Sequence, residues 1–410
     1  MQIITRCSQR SKTRSVWHAW VMRPNASRSP ICSNRVAFDT IVVGAGPAGS
    51  AAAIVAARAG LRVALVDKAR FPRDKICGDL LGTWALGALR EIGITSDRFA
   101  TYPALRGARL YTPARASAGA SVDPHMYEAR VVPRMDFDVE LVREAQARGA
   151  HFVQARTTGL LRAGDRVVGV STDTGDLHAP LVIGADGWGS LIARACGIPR
   201  ARPRDAGIAV RAYVENVAEM DGEMHFFVLP PGDGYAWIFP LADGLANVGL
   251  GFVRDEPGAD RLHDAFERFL CAPSSPARRF FVNATVGERR AWPLAFGWRG
   301  TPLVADGVLL AGDAGSLVSP LSGSGIHHAL QSGASAARAA VDALARGDVR
   351  ARSLRAHERR MRFTVGARLR IESWAHRTIG NPRRIDAFAA ALANVPGSNR
   401  VLAPLLLNLG

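Results

Sequence analysis

Short, fully apolar runs recur along the chain, each closed by glycine or aspartate and each followed by a helical stretch. Ile41–Val43 is one such run, β-branched throughout, and reads as a strand buried on both faces. An alanine-rich helix follows to Ala59 and stops at Gly60; a second strand over Arg62–Val66 ends on Asp67. The pattern returns from Leu181, where an apolar strand runs into Gly184-Ala-Asp186-Gly187 and a helix carrying Arg194. It returns again from Gly307, where a strand ends at Gly312-Asp313 and a Gly/Ser/Pro loop leads to a long small-residue helix beginning near Ile326. A further helix follows Val131 and ends at Gly149. Between these units lies a different texture. "GEMHFFVLPPGDGYAWIFPLADGLANVGLGF" breaks strand-like runs with Pro-Gly-Asp-Gly and Ala-Asp-Gly turns, the pattern of an antiparallel sheet. Within it Tyr235, Trp237 and Phe239 alternate, so on a strand they share one face.

At 410 residues, 48% of them hydrophobic, the chain has room for two domains with a sizeable core. No apolar run approaches the length of a membrane span. The net charge of +16 is uneven: residues 1–37 hold seven basic residues and no acidic one. That leader resembles an organellar transit peptide, and a disordered extension or an early start codon explains it as well. A second basic stretch, Arg346 to Arg384, is opposed only by Asp348, Glu358 and Glu372. It reads as a solvated helical face or as a surface attracted to an anionic membrane or a phosphorylated ligand. No aromatic interleaving or nucleic-acid motif accompanies it, so a nucleic-acid partner is not expected. The five cysteines are scattered and form no CxxC pair, which suggests neither a disulfide framework nor a metal site. A reducing, cytoplasmic setting, with peripheral membrane contact as a variant of it, is the expectation. Oligomeric state is open.

The first unit carries chemistry. Gly44, Gly46 and Gly49 fit GxGxxG between the strand and the helix. Gly44 permits a tight turn, Gly46 lets backbone approach a pyrophosphate, and Gly49 lets the helix pack close to the strand. The helix N-terminus offers free N–H groups and a positive dipole end to phosphates. Asp67 stands where an acid can accept a hydrogen bond from a ribose hydroxyl. Strand, glycines, helix, strand and acid in that order indicate dinucleotide binding.

With the later Asp186-Gly187 and Gly312-Asp313 motifs, the sequence resembles the glutathione-reductase-like flavoproteins of the p-hydroxybenzoate hydroxylase fold. The resemblance implies FAD. It places Asp313 at the ribityl hydroxyls, Asp186 and Gly187 near the pyrophosphate, and Gly323 and Gly325 at the flavin ring. Arg134, before an FD pair, is a candidate cofactor contact; an ion pair with Asp136 or Asp138 is an equal reading.

"FPRDKICGDLLG" and Tyr235-Ala-Trp237-Ile-Phe239-Pro240 together narrow the likeness to the geranylgeranyl reductase family. Its members carry a KxCG-type loop after the second strand and a YxWxFP segment, and they reduce isolated double bonds in prenyl chains. The expected function is therefore FAD-dependent reduction of carbon–carbon double bonds in a prenyl or other hydrophobic substrate, with NAD(P)H as reductant. Cys77, Tyr235 and Trp237 are the candidate catalytic residues. A thiol beside the flavin could supply or relay a proton, its pKa lowered by Lys75 and Arg73. The aromatic face suits a long apolar substrate. The plainer readings are a small packing residue for Cys77 and an ordinary core strand for the aromatics. His327 and His328 are rival proton donors. A hydroxylase or epoxidase is the alternative function, because the same fold serves monooxygenases. A flavin-binding protein without turnover is a third. Halogenation is disfavoured: flavin halogenases need a lysine, and none follows Lys75. "PLSGSGI" departs from the reductases' PLTGEGI-like loop by placing Ser324 where an acid is usual.

The expected fold is α/β: a discontinuous FAD-binding domain with a parallel sheet (36–81, 130–200 and 287–345), plus an antiparallel β substrate domain (82–129 and 201–286). A disordered or spurious leader (1–35) precedes them and a basic helical region (346–410) follows, whose Val401–Leu407 stretch would dock on the core or touch a membrane.

Overall fold

The computed structural model describes residues 38–379, except 113–114, 122–126, 200–205, 230–233, 254–258, 297, 299 and 321. The basic leader and Val401–Leu407 lie outside the described residues.

Two sheets organise the fold. The first has the order Val304–Ala305, Val308–Leu310, Val182–Gly184, Thr40–Val43, Val63–Asp67, His151–Gln154. Its pairs are parallel except for the edge hairpin of Val304–Ala305 with Val308–Leu310. Thr40–Val43 is central and buried along its whole length, as a strand covered on both faces must be. Helices Pro47–Arg58, Arg134–Ala147 and Ile326–Ala345 cover one face. Glycine and alanine let the first and third of these meet closely: a Cβ on Gly333 would stand 2.0 Å from the Ala48 carbonyl oxygen. The other face is covered by a small antiparallel sheet (Thr157–Ala163, Arg166–Thr172, Gly175–His178) together with Met361, Val365 and Leu369. Gly44, Ala185 and Ala311 follow the carboxyl ends of parallel strands and Asp67 ends one, where open α/β sheets bind their ligands.

The second sheet runs Thr285–Val286, Ala206–Glu215, Ala246–Val253, Tyr235–Pro240, Glu223–Val228, Gly107–Thr112, Arg115–Ser121. It is antiparallel except where Glu223–Val228 lies parallel to Gly107–Thr112. Its outer face packs on Ala259–Cys271 through Phe227, Ile238 and Phe266. Its inner face presents Phe226, Trp237 and Phe239. The period of two thus sorts Ala236 and Ile238 into the outer core and the aromatics inward.

Sheet membership differs from the expected boundaries at two places. Arg290–Ala295 pairs with Ala206–Glu215 in the second sheet, so that sheet continues past 287. Thr83–Glu91 buries Ala85, Leu86 and Leu89 in the core of the first sheet's helical layer, so residues just past 82 belong there. A short pairing of Leu80–Leu81 with Arg130–Val131 joins the two territories. Of the basic C-terminal region, Ala351–Met361 and Ala367–Ile379 are helical, linked by a π turn at Arg362–Gly366.

Candidate active site

One cavity of about 440 Å³ opens between the carboxyl ends of the parallel strands and the inner face of the second sheet. Most of the sequence-derived candidates line it: Gly44, Gly46, Asp67, Arg134, Asp186, Gly187, Gly312, Asp313, Gly323 and Gly325, together with Cys77, Tyr235 and Trp237. Gly49 is buried behind it, where a Cβ would meet the Gly44 carbonyl oxygen at 1.7 Å.

The glycine turn is built for a ligand. Gly44 sits at φ +97°, a conformation open to glycine, and Asp67 Oδ2 accepts from the Ala45 N–H at 2.7 Å. Asp67 Oδ1 accepts from the Ala69 N–H at 2.8 Å, so the acid pins the turn and retains lone pairs for a further donor. Helix Pro47–Arg58 starts with no side-chain cap and no acid in its first turn. Helix Ile326–Ala345 starts the same way behind Gly325, and both starts line the cavity. Two positive helix ends thus face one space with their first N–H groups uncapped by side chains.

Asp186 has a structural role as well. It accepts from Ser190 Oγ (2.5 Å), Leu191 N (2.7 Å) and Ile192 N (3.2 Å), capping the short helix Leu191–Ala195. Arg134 is committed to Asp138 through two 2.7 Å hydrogen bonds, and Arg73 joins the same carboxylate at 2.8 Å. The ion pair that was one of its two readings is therefore present, at the cavity wall. Gly323, at φ +70°, leaves room for Tyr235, whose hydroxyl donates to Ser322 O at 3.0 Å.

The cysteine loop is clamped to the second sheet. Asp74 receives Arg211 at 2.6 Å and Arg290 at 3.2 Å. Asp79, fully buried at φ +64°, accepts from Tyr213 Oη at 2.6 Å and Asn247 Nδ2 at 2.8 Å. Burial pushes the Asp79 carboxyl up to about 6. Asn247 Nδ2 also donates to the Cys77 carbonyl at 2.8 Å, while its Oδ1 accepts from Trp237 Nε1 at 2.9 Å. Gly78 packs so near Phe239 that a Cβ there would come within 2.9 Å of its ring.

The expected electrostatics of the thiol need correction. Burial is the largest influence on Cys77 and pushes its pKa up; Arg134 is the cation that most opposes it, ahead of Lys75 and Arg73. Lys75 lies over the Trp292 ring at 3.8 Å and is lowered to about 8 by burial. His327 and His328 do not line the cavity. His327 pairs with Ser324 Oγ at 3.1 Å, and burial holds both imidazoles far below their usual range, neutral at pH 7.

A family model described as an FAD binding domain matches residues 37–366. The digeranylgeranylglycerophospholipid reductase of Methanothrix thermoacetophila is 35% identical over 351 residues, 81% of this chain and 84% of that protein. The chain belongs to the geranylgeranyl reductase family of FAD-dependent oxidoreductases. Within it, the menaquinone reductase of Mycolicibacterium smegmatis is 34% identical over 317 residues, covering 73% of this chain and 75% of that one. A geranylgeranyl bacteriochlorophyll reductase-like protein of Thermoplasma acidophilum shares the fold at TM-score 0.75 and 24% identity, covering 91% of each chain. So does a flavin-dependent brominase at TM-score 0.74 and 21% identity, covering 91% of this chain and 94% of that one. The enzyme is an FAD-dependent oxidoreductase, and the open glycine turn and uncapped helix starts fit that cofactor.

Asp79, Asn247 and Tyr213 were absent from the sequence-derived candidates. The available signal was weak: a lone amide in the apolar strand Ala246–Val253, and an acid just before Leu80–Leu81. The glycines opposite the aromatics are more telling. Gly249 faces Trp237 in register, and a Cβ on it would stand 1.9 Å from the indole. Gly249→Ala in this family member is therefore expected to displace Trp237 and lower stability by about 1–3 kcal/mol, the range for overpacking a filled site. Denaturant unfolding of the FAD-loaded protein measures this; an unchanged midpoint would contradict the packing.

Proposed function

We propose that this enzyme reduces carbon–carbon double bonds of a prenyl or other hydrophobic substrate, with NAD(P)H as its reductant. One observation carries the reading: the Cys77 loop and the Tyr235/Trp237/Phe239 face line the same cavity as the dinucleotide glycines. The relatives' names, a digeranylgeranylglycerophospholipid reductase and a menaquinone reductase, support a lipidic substrate.

In this reading Gly44, Gly46, Gly49 and the start of helix Pro47–Arg58 hold the pyrophosphate, aided by Asp186 and Gly187 in the loop before the helix that Asp186 caps. Asp67 and Asp313 hold sugar and ribityl hydroxyls, and Gly312, Gly323 and Gly325 bring backbone close. When bound, the flavin supplies the hydride. Cys77 holds the complementary proton, since burial keeps its thiol protonated at neutral pH. After transfer, Arg134 lies close enough to favour the thiolate until water restores the proton. Tyr235 and Trp237 orient the apolar chain and exclude water.

Peripheral contact with an anionic bilayer belongs to the same reading. Phe363 and Ile371 stand 78% and 67% exposed on the helices that carry Arg359, Arg360, Arg362 and Arg370. Among the described residues no helix is long and apolar enough to cross a membrane.

The test is product mass. Chemically reduced, FAD-loaded enzyme is incubated with a prenyl-lipid extract, once without oxygen and once with oxygen and NADPH. A product heavier by two hydrogens in the anaerobic arm is expected. A product heavier by one oxygen, formed only in air, would replace this reading with a monooxygenase.

A further inference from the structure

We infer that Asn247 and Asp79 are positioning residues, forming a clip that fixes the Cys77 backbone and the Trp237 ring in one geometry. Asn247 is fully buried, and its amide is used at both ends. Nδ2 donates to the Cys77 carbonyl and to Asp79 Oδ2, both at 2.8 Å, and Oδ1 accepts from Trp237 Nε1 at 2.9 Å. A single side chain thus touches the cysteine loop and the aromatic strand. Its position follows from the sheet: Asn247 is paired with Phe239, two residues from Trp237, in the antiparallel ladder.

Asp79 completes the clip from the loop side. It takes the Asn247 amide and the Tyr213 hydroxyl on the same carboxylate oxygen. The chain at Asp79 has positive φ, a conformation that aspartate and asparagine tolerate better than most residues. At the other end of the loop, Asp74 is held by Arg211, two residues before Tyr213 on the same strand. The short span from Lys75 to Gly78 is therefore fastened at both ends to Ala206–Glu215, although it follows the dinucleotide strand in sequence. Removing a buried donor leaves its acceptors unpaired, so the span should loosen at Cys77 when Asn247 is lost.

The inference rests on Cys77 lining the active cavity and is independent of which substrate the enzyme reduces. The test reads the thiol itself. FAD-loaded enzyme is treated with iodoacetamide, and alkylation of Cys77 is followed by peptide mass spectrometry across a pH series. Asn247→Ala is expected to speed alkylation about tenfold, the effect of losing one buried hydrogen bond, with flavin content retained. Asn247→Asp keeps the volume and loses the donor; its carboxylate also raises the thiol pKa, so its faster alkylation is expected at the alkaline end of the pH series, where the thiolate is formed. It serves as the isosteric variant if the alanine variant fails to fold. Adding Asp79→Asn to Asn247→Asp restores a donor facing an acceptor and should recover part of the protection. Wild-type alkylation rates in flavin-loaded single variants overturn the inference, and so does a double variant that recovers nothing. Failure of the prenyl-reductase reading would leave these rates unchanged, so the two failures are distinguishable.

Discussion

Cys77→Ala is expected to purify with a full complement of FAD and to lose turnover by roughly 10²–10⁴-fold, the usual contribution of a positioned proton donor. The two halves of that result come from different atoms. The loop is held through the Cys77 carbonyl, which accepts from Asn247, and through Asp74 and Asp79 on either side. None of these contacts involves the sulfur, whose own hydrogen-bond neighbours are the Asp79 N–H and the Arg134 side chain, so its removal leaves these fastenings of the loop in place. The sulfur is the atom with chemistry to offer, and burial raises its pKa, so the thiol arrives protonated. A donor must be protonated to act, and turnover should therefore fall as pH rises through the raised thiol pKa. That alkaline limb should disappear in the variant. Visible absorbance measures the flavin, and anaerobic single-turnover oxidation of reduced enzyme by substrate measures the rate. Turnover within twofold of the parent would return Cys77 to a packing role.

What the sequence disclosed, and what it hid, divides by distance along the chain. The dinucleotide turn was legible because its physics is local: Gly44 needs a positive φ, Gly49 needs no side chain, and Asp67 reaches back to the Ala45 N–H. The aromatic face was legible because alternation on a strand is equally local. The clip was hidden because its bonds to the cysteine loop and to Asp79 cross 134 to 170 residues of chain, and only the Asn247–Trp237 bond is short in sequence, at 10 residues. No pattern in the neighbourhood of Asn247 says that its amide meets a cysteine loop that follows a strand of the first sheet. The thiol's electrostatics were misread for the same reason. Lys75 and Arg73 are neighbours in sequence, but one lies on Trp292 and the other on Asp138, and the cation that most opposes burial at Cys77 is Arg134 from a later helix. Sheet membership was equally hidden at Arg290–Ala295, which pairs with Ala206–Glu215 in the second sheet through a partner roughly 80 residues earlier in the chain.

One substitution, glycine to alanine, should have opposite signs at two helical positions, and the difference isolates what the dinucleotide turn requires. Alanine is favoured over glycine in a helix interior by about 1 kcal/mol. At Gly87, inside Thr83–Glu91, a Cβ would meet nothing within 4 Å. Gly87→Ala should therefore stabilise the protein by about 0.5–1 kcal/mol and leave FAD binding alone. At Gly49 the same Cβ would lie 1.7 Å from the Gly44 carbonyl oxygen and 3.2 Å from Val42. Neither neighbour can yield cheaply. The Gly44 carbonyl is backbone, in a turn fixed by the Asp67 bond to Ala45, and Val42 is fully buried in the central strand. The helix must move away from the strand, and with it the uncapped N–H groups that face the cavity. Overpacking of about 1–3 kcal/mol or more outweighs the propensity gain, and the displaced helix start no longer presents its N–H groups to a pyrophosphate. Gly49→Ala should emerge from purification largely free of flavin and with a lower unfolding midpoint, read from the flavin-to-protein absorbance ratio and a denaturant titration. Full flavin content in that variant would mean that the turn does not hold the cofactor.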